Sequence, residues 1–508
     1  RDIIEDNYLY VDKTKFIYNI ASQGKHFFLS RPRRFGKSLT LSTLGSLFEG
    51  DKELFKGLYI YNQPWEWKKW PVLRFDFSSF SETYEPEFLE ERISSWINKF
   101  ASDWGITLKE NGYDRQFQEL LENLPDKAVI LIDEYDKPIL NYITNHAKAT
   151  RAKEILKGFY TIIKSSDAYV RFAFLTGVTK FAKISVFSGL NNLTDLTMNE
   201  RYADLCGYTE EELDLYFGDV IKSMANEVSL SVEQLRSKIR DWYNGFRFSS
   251  RDLRVYNPIS ILNFVMDRKF KPYWFETGTP TFLTELMKKE GFSPAKLEGL
   301  SCPASAFSTY DLENLKSLPI LVQSGYLTIS DYDEEMDLYT LNPPNKEVKQ
   351  SFYDALIAEY TFDRDSTPLY QIIKSLKENN MESFFENLDI LFAKIPYDIH
   401  LPYEKYWQSL FYMIFSLLGY YIEAEYKTSK GRIDAFIGLS DRIYIFEFKL
   451  VSDKTKDAIG LMEAAKMQIK ETDYAKRFIN SGKVITLLPV VFEYQEERAV
   501  IQWKEISV

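Results

Sequence analysis

The stretch Ser30-Arg-Pro-Arg-Arg-Phe-Gly36-Lys37-Ser38 decides the fold, because it separates a short apolar run from a helical pattern. His26 to Leu29 is predicted to form a strand, and Ser38 to Phe48 is predicted to form a helix. A turn between such elements directs backbone N–H groups and the positive end of the helix toward phosphates. The Gly-Lys-Ser ending adds a lysine for the β- and γ-phosphates and a hydroxyl for Mg²⁺. The stretch therefore indicates a P-loop for ATP or another nucleoside triphosphate.

One position of this stretch departs from the usual phosphate-loop pattern. The pattern has glycine five residues before Gly36, where this sequence has Arg31. We interpret Pro32 as fixing the turn that glycine would otherwise allow. We also expect the arginines at positions 31, 33 and 34 to add positive charge near the phosphates. For this stretch alone, a chance Gly-Lys-Ser on a basic loop is the alternative interpretation.

A second apolar run, Ala128 to Ile132, ends in Asp133 and Glu134. At the carboxyl end of a buried strand, Asp133 is placed to accept Mg²⁺-bound water. Glu134 is then placed to orient or deprotonate the water that attacks the γ-phosphate. A strand followed by a solvated acidic turn is the simpler interpretation. The order of strand, phosphate loop, helix, further strand and Asp-Glu strand favours nucleotide hydrolysis.

Two further predicted strands carry polar residues at their ends. Val170 to Leu175 leads into Thr176, and Asp76 closes the strand that begins at Val72. Either side chain would be placed to contact the γ-phosphate, and an ordinary turn after a strand explains both equally well. The predicted nucleotide contacts are Arg33, Arg34, Phe35, Gly36, Lys37, Ser38, Leu39, Asp133 and Thr176. The predicted Mg²⁺ ligands at this site are Ser38 and Asp133, and the predicted catalytic residue is Glu134.

The last hundred residues carry a different chemical pattern. Asp434 precedes one predicted strand, and Tyr444-Ile-Phe-Glu447-Phe-Lys449 forms part of the next. Because side chains alternate along a strand, Glu447 and Lys449 share a face. Phosphodiester hydrolysis uses carboxylates that hold Mg²⁺ and a lysine that positions water or stabilises charge. The alternative is an aspartate in a hairpin turn and a Glu/Lys pair that satisfy each other beside a sheet.

Helical patterns flank these strands in the order of a restriction-endonuclease-like core. Glu404 lies in the stretch from Tyr403 to Leu418, before the strands, and Gln468 lies in a helical stretch after them. A further carboxylate at Glu404 would face the same metal.

Most of the first 300 residues resemble the bacterial AAA-ATPase-like proteins. The motifs that carry this resemblance are Tyr10-Val-Asp-Lys-Thr14, Arg31-Pro-Arg-Arg-Phe-Gly-Lys-Ser38, Leu131-Ile-Asp-Glu-Tyr-Asp-Lys-Pro138, Ser188-Gly-Leu-Asn-Asn-Leu-Thr-Asp195, Trp242-Tyr-Asn-Gly245 and Tyr256-Asn-Pro258. Members of this family look similar at the position of the missing glycine. The resemblance implies an ASCE-type P-loop ATPase core.

The C-terminal pattern is similar to the PD-(D/E)XK nuclease superfamily, in the form often joined to an AAA-ATPase-like domain. This resemblance implies that Asp434 and Glu447 are metal ligands and that Lys449 positions water. It further implies that Glu404 is an auxiliary acid at the metal and that Gln468 makes a phosphate or structural contact. The predicted catalytic residues here are Glu447 and Lys449.

Composition narrows the class of protein. The 508 residues are 45% hydrophobic and carry a net charge of -11, and no stretch approaches the roughly 18 to 20 apolar residues needed to span a bilayer. Two cysteines and three histidines exclude a disulfide framework and a cysteine-rich zinc site, so a reducing cytoplasm is expected. The acidic charge argues against a surface that coats nucleic acid uniformly, but it allows a local basic cleft. The sequence starts at Arg1 and leaves the natural start of the chain open.

The predicted fold class is α/β, with four parts along the chain. These parts are a P-loop AAA-like ATPase domain at 1–207, a helical lid with a winged-helix-like region at 208–352, a helical linker at 353–395 and a restriction-endonuclease-like domain at 396–508. The winged-helix-like region is predicted to bind DNA or to act as a hinge.

Two functions fit these observations. In the first, ATP binding and hydrolysis control a Mg²⁺-dependent nuclease that acts on nucleic acid, with DNA the favoured target. In the second, the protein is an ATP-driven switch whose C-terminal domain binds nucleic acid or a protein without cutting. An arginine supplied by a second copy would make the protein a homo-oligomer, which the sequence leaves open. No membrane association is predicted.

Overall fold

The protein forms two compact units in the computed structural model. The structure describes residues 1–508 except 82, 144, 181–192, 275–282, 284–285, 288–289, 291–298, 309–315, 362–366, 394–413, 415–422, 426–434, 440, 452–457, 472–477, 479–481, 496–497 and 508. The first unit contains Arg1–Thr277 and Gly299–Glu347, and the second contains Gly278–Glu298 and Val348–Val508. The division of the chain into four parts stays a prediction.

The first unit is built on a five-stranded parallel sheet. Its strands are β1 His26–Ser30, β2 Val72–Asp76, β3 Ala128–Asp133, β4 Val170–Gly177 and β5 Thr194–Asp195. Their spatial order is β2-β3-β4-β1-β5, and every neighbouring pair is parallel. β1 and β4 are almost wholly buried, as expected for central strands with both faces covered.

Eleven α-helices accompany this sheet among the described residues of the first unit. They are α1 Asp2–Glu5, α2 Thr14–Gln23, α3 Lys37–Phe48, α4 Phe88–Asp103, α5 Tyr113–Asn123, α6 Lys137–Leu140, α7 His146–Ser165, α8 Glu210–Glu227, α9 Val232–Tyr243, α10 Pro258–Asp267 and α11 Ser317–Ser324. Helices α4, α5 and α7 pack onto the sheet through an aromatic cluster. In it the Phe75 ring lies 5.5 Å from that of Phe117 and 4.9 Å from that of Phe159, between ring centroids.

Helices α8, α9 and α10 share a separate hydrophobic core, followed along the chain by a small antiparallel sheet. The strands of this sheet are β6 Leu300–Cys302, β7 Thr328–Asp333 and β8 Leu338–Asn342, in the order β6-β8-β7. Gly245, from the Trp-Tyr-Asn-Gly motif, has φ 112°, and a Cβ there would lie 2.0 Å from the Pro344 carbonyl oxygen. Only glycine fits this turn.

The second unit is built on a mixed sheet. Its strands are β9 Glu423–Glu425, β10 Ala435–Gly438, β11 Arg442–Leu450, β12 Val484–Gln495, β13 Arg498–Trp503 and β14 Ile506–Ser507. Its helices are α13 Thr367–Lys377, α14 Met381–Ala393, α15 Ala458–Glu471 and most of α12 Lys346–Thr361, whose first two residues belong to the first unit. The strand order is β13-β12-β11-β10-β9, with β14 paired to β12. Only the β11–β12 pair is parallel among these described strands. The two sheets confirm the α/β fold class.

Helix α14 packs against the sheet of the second unit. The Phe384 ring lies 5.9 Å from that of Phe446, and the Phe385 ring stacks on Trp503 with centroids 4.6 Å apart. The stretch expected to be a linker therefore contributes apolar side chains to the core of this unit.

None of the helices formed by the described residues is both long enough and apolar enough to cross a bilayer.

Candidate nucleotide and nuclease sites

The strand order of the first unit brings the predicted nucleotide residues to one edge of the sheet. β4 lies between β1 and β3, with Ser30 opposite Gly177 and Ile132 opposite Leu175. Asp76 lies opposite Asp133 on the other side of β3. Because the carboxyl ends of parallel strands meet at one edge, the phosphate loop and the polar ends of β2, β3 and β4 adjoin each other.

The phosphate loop opens onto the first turn of helix α3. Gly36 has φ 89°, which favours glycine, and the first helical hydrogen bond runs from the Thr40 N–H to the Gly36 carbonyl at 2.9 Å. The backbone N–H groups of the first turn before Thr40 therefore have no helical acceptor. Ser38 and Leu39 are exposed beside them. This turn fits a phosphate group.

Lys37 is folded into the loop that precedes it. Its side chain is buried, and Nζ donates to the carbonyl oxygens of Arg31 and Pro32, each at 2.9 Å. Burial lowers the pKa of the Lys37 ammonium, and the nearby carboxylates Asp136 and Asp133 oppose that shift. The loop thus holds a cationic group at its centre.

The Arg31 side chain is buried and donates to backbone carbonyls. Its guanidinium is 1% exposed and donates to the carbonyl oxygens of Ser30, Thr197 and Tyr202 at 2.9, 2.7 and 3.2 Å. It also lies 4.2 Å from the centre of the Phe248 ring. Burial lowers the pKa of Arg31 to about 10. These Arg31 donors are directed inward to backbone carbonyls, and the expectation that Arg31 adds positive charge near the phosphates stays a prediction.

Of the other loop residues, some contact the rest of the protein and some are exposed to solvent. Phe35 is buried, with its ring 4.7 Å from that of Phe246 and 5.3 Å from that of Phe248. Arg34 has φ 65°, and its Nη1 donates to the Tyr273 carbonyl at 3.0 Å. The Arg33 side chain is exposed. The Phe35 ring therefore anchors the loop from within the protein.

Asp133 and Thr176 contact each other at the end of their strands. The Thr176 hydroxyl donates to Asp133 Oδ1 at 2.5 Å, and the same oxygen accepts the Glu134 N–H at 3.0 Å. Thr176 is fully buried, whereas Asp133 and Glu134 are half-buried. The structure therefore places the Thr176 hydroxyl where it orients the Asp133 carboxylate.

Glu134 has a left-handed backbone, with φ 48°. Such a conformation is uncommon for a residue other than glycine, and it turns the chain sharply after β3. Burial raises the pKa of the Glu134 carboxyl, and Lys137 and Lys37 oppose this. A carboxylate in these surroundings is suited to accept a proton from water.

Asp136 is a site residue that motif reasoning missed. Its buried carboxylate accepts the N–H groups of Val178 and Thr179 at 3.1 and 2.6 Å and the Thr179 hydroxyl at 2.6 Å. A Cβ on Gly177 would lie 2.6 Å from Asp136 Oδ1. Asp136 therefore fixes the turn that follows Thr176. The sequence feature that could have indicated Asp136 is its place in the motif Asp133-Glu-Tyr-Asp136.

Glu347 is a second buried carboxylate, at the start of α12. It is fully buried and accepts the Trp274 N–H and the Ser260 hydroxyl, both at 2.7 Å. Burial raises the pKa of Glu347 from 4.5 to about 7, and the hydrogen bonds from Trp274 and Ser260 and the charge of Arg34 oppose this shift. No sequence pattern marked this residue.

We expect Glu347 to make stability depend on pH. Because its folded pKa is raised, its contribution to stability is fully present below about pH 4.5 and is lost as the pH rises through about 7. Glu347→Gln carries no such charge, so wild type should lose roughly 2 to 3 kcal/mol more than the variant between pH 5 and pH 8. Urea unfolding of both proteins at the two pH values measures this difference. Equal losses in both proteins would contradict the assignment.

The predicted nuclease residues that the structure describes lie together in the second unit. Glu447 and Lys449 occupy one face of β11, and Lys449 Nζ donates to Glu447 Oε1 at 3.0 Å and to Gln468 Oε1, on α15, at 2.7 Å. The Glu447 side chain is 1% exposed. Asp434 and Glu404 lie outside the described residues. Within the described ranges, no cluster of three or more metal-ligating side chains is present.

These features define a P-loop ATPase-like protein whose second unit has a nuclease-like mixed sheet. Residues 1–187 match the family described as predicted AAA-ATPase, and residues 402–503 match the PD-(D/E)XK nuclease superfamily. The chain is also 37% identical over 514 residues to a protein of Azotobacter chroococcum mcd 1 described as "uncharacterized protein in vnfD 5'region". That alignment covers 98% of this chain and 95% of the relative.

This chain therefore belongs to the AAA-ATPase-like family, in the form that carries a C-terminal domain of the PD-(D/E)XK nuclease superfamily. Both resemblances expected from the sequence are confirmed.

Proposed function

We propose that this protein binds and hydrolyses ATP in its first unit and cleaves nucleic acid in its second unit, with Mg²⁺ required for both reactions. The observation that carries the proposal is the meeting of the phosphate loop, Asp133 and Glu134 at one edge of the parallel sheet. ATP hydrolysis needs a phosphate cradle, a metal-binding carboxylate and a group that orients water. All three chemical types adjoin each other here.

In the first unit, the N–H groups of the first turn of α3 and the Lys37 ammonium bind the phosphates. Ser38 and Asp133 would hold Mg²⁺, which supplies charge neutralisation when bound. Thr176 keeps the Asp133 carboxylate oriented through its 2.5 Å hydrogen bond. Glu134 orients the attacking water and accepts its proton. Arg33, Arg34 and Leu39 complete the nucleotide contacts in this proposal, with the buried Phe35 supporting the loop.

In the second unit, Glu447, Asp434 and Glu404 would hold Mg²⁺, and Lys449 positions the water. The side-chain arrangement of Glu447, Lys449 and Gln468 supports this role, because it sets a buried carboxylate beside a fixed ammonium. A fixed ammonium stabilises charge that develops on a phosphate oxygen. Gln468 keeps the ammonium in place.

DNA is the proposed nucleic-acid target, and the cytoplasm is the proposed location. The nuclease superfamily match supports nucleic acid as the partner of the second unit. The proposal includes the assembly of several copies, in which an arginine of one copy completes the ATP site of its neighbour.

The alternative is an ATP-driven switch whose second unit binds nucleic acid or a protein without cutting. The Glu447–Lys449 ion pair favours it, since two opposite charges that satisfy each other also describe a structural pair. Loss of cleavage after Lys449→Ala, together with a requirement for Mg²⁺, supports the nuclease. Cleavage that persists in Lys449→Ala supports a contaminant or the switch.

Lys37→Ala tests nucleotide binding. We expect it to weaken ATP affinity about a hundredfold, because the loop loses its central ammonium and two carbonyl acceptors lose their donor. Titration of a fluorescent ATP analogue measures the affinity. Lys25→Ala is the matched control, since Lys25 pairs with Asp167 at the start of β1, far from the carboxyl edge of the sheet. An unchanged affinity in Lys37→Ala would contradict ATP binding at this loop.

A further inference from the structure

Glu347 stands out among the buried charged groups of the first unit. Its two carboxylate oxygens accept separate hydrogen bonds, one from the Trp274 N–H and one from the Ser260 hydroxyl, each at 2.7 Å. A buried carboxylate is unfavourable unless its hydrogen bonds are satisfied, so these two donors are held in fixed positions around it. Glu347 thereby holds the Trp274 backbone and the first turn of α10 together within the first unit.

Both partners of Glu347 lead to the phosphate loop. The Trp274 indole Nε1–H donates to the Arg33 carbonyl at 3.2 Å. Ser260 lies in the helix turn capped by Asn257, whose side-chain oxygen accepts the Ser260 N–H at 3.3 Å. The Asn257 amide also approaches the Arg33 carbonyl, at 3.5 Å. The Arg33 carbonyl therefore accepts hydrogen bonds from both Trp274 and Asn257.

The neighbouring loop residue is held by the same segment. Arg34 donates to the carbonyl of Tyr273, the residue before Trp274, while its own backbone is left-handed. A left-handed arginine persists only where its surroundings impose the conformation. The Tyr273–Trp274 segment thus imposes the shape of the loop at Arg33 and Arg34, and Glu347 fixes that segment.

We propose that Glu347 is a positioning residue of the nucleotide site: through Trp274 it holds the phosphate loop in the conformation that binds ATP. The inference rests on the proposed ATP-binding function. It adds a carboxylate that no phosphate-loop motif contains and that lies more than 300 positions along the chain from the loop it positions.

Nucleotide affinity in four variants tests this role, with N-methylanthraniloyl-ADP as the probe. Glu347→Ala should weaken binding about tenfold, because Trp274 loses its acceptor and the loop relaxes. Glu347→Gln should stay within about twofold, since its amide accepts from Trp274 and donates to Ser260. Trp274→Phe keeps the backbone N–H and loses only the indole donor, so we expect a loss of about fivefold.

The double variant Glu347→Ala/Trp274→Phe separates positioning from general damage. If Glu347 acts through Trp274, the double variant should bind about as weakly as Glu347→Ala alone. Additive losses would overturn the proposal. An affinity of Glu347→Ala equal to wild type would also overturn it.

Glu210→Ala is the control for a lost carboxylate in the same unit. Glu210 accepts from Arg240, Asn244 and Tyr256, and these three donors lie outside the phosphate loop. We expect its nucleotide affinity to remain within about twofold of wild type. Equal weakening in Glu210→Ala and Glu347→Ala would trace the effect to stability and refute the positioning role. Failure of wild type to bind the probe would instead refute the proposed ATP-binding function.

Discussion

Glu134→Gln is expected to lower the rate of ATP hydrolysis about a thousandfold while ATP affinity stays within about threefold. Glutamine keeps the size of the side chain and can retain the backbone bond from residue 134 to Asp133, but it cannot accept a proton from water. The phosphate loop and Lys37, which we propose to bind the nucleotide, are unchanged. Phosphate release and titration of a fluorescent ATP analogue measure the two quantities separately.

A matched control for this variant is Glu49→Gln. Glu49 follows α3 and pairs with Arg74 at 2.7 Å. The substitution Glu49→Gln therefore changes one glutamate of the same unit and leaves the end of β3 unaltered. We expect its hydrolysis rate to remain within about twofold of wild type. A hydrolysis rate in Glu134→Gln close to that of the control would show that another group activates the water.

Glu447→Gln is expected to reduce nucleic-acid cleavage by about a thousandfold or more, with ATP hydrolysis unchanged within about twofold. The substitution removes the negative charge that pairs with Lys449 and that would hold Mg²⁺. Cleavage is measured on single- and double-stranded DNA and RNA with Mg²⁺ or Mn²⁺, in the presence and absence of ATP. Lys37→Ala in the same assay shows whether ATP controls the cut.

Glu463→Gln is the matched control for the nuclease variant. Glu463 lies on α15 and pairs with Lys466 at an exposed position, so its loss should leave cleavage within about twofold. If wild type cuts no substrate while it still hydrolyses ATP, the switch becomes the better function. The second unit should then be tested for binding to nucleic acid and to proteins.

The strands with long apolar runs were predictable because their burial on both faces leaves a strong signal. β3 was expected from Ala128 to Ile132 and extends one residue further, to Asp133, and the stretch from Tyr444 to Lys449 that was expected to lie in a strand falls within β11. The middle region was less predictable. There Gly325 ends α11, and β7 begins only at Thr328.

The chemistry of the phosphate loop was visible locally, whereas its support was not. Gly36, Lys37 and Ser38 match a local motif, because in a phosphate loop residues that are neighbours in sequence serve the same phosphates. The inward direction of Arg31 depends on Thr197 and Tyr202, and the role of Glu347 depends on Trp274. Such contacts join distant parts of the chain, and no local periodicity encodes them.

The position of β4 in the middle of the sheet also bears on the order in which the first unit folds. β1 is synthesised early, but its β4 neighbour follows only after β2, β3 and α7. Until β4 is synthesised, the edges of β1 and β3 that pair with it have unpaired N–H and carbonyl groups, which promote aggregation. Pairings so distant along the chain are formed slowly. A chain that ends before Val170 should therefore be recovered as insoluble material, because β1 and β3 then lack the strand that lies between them.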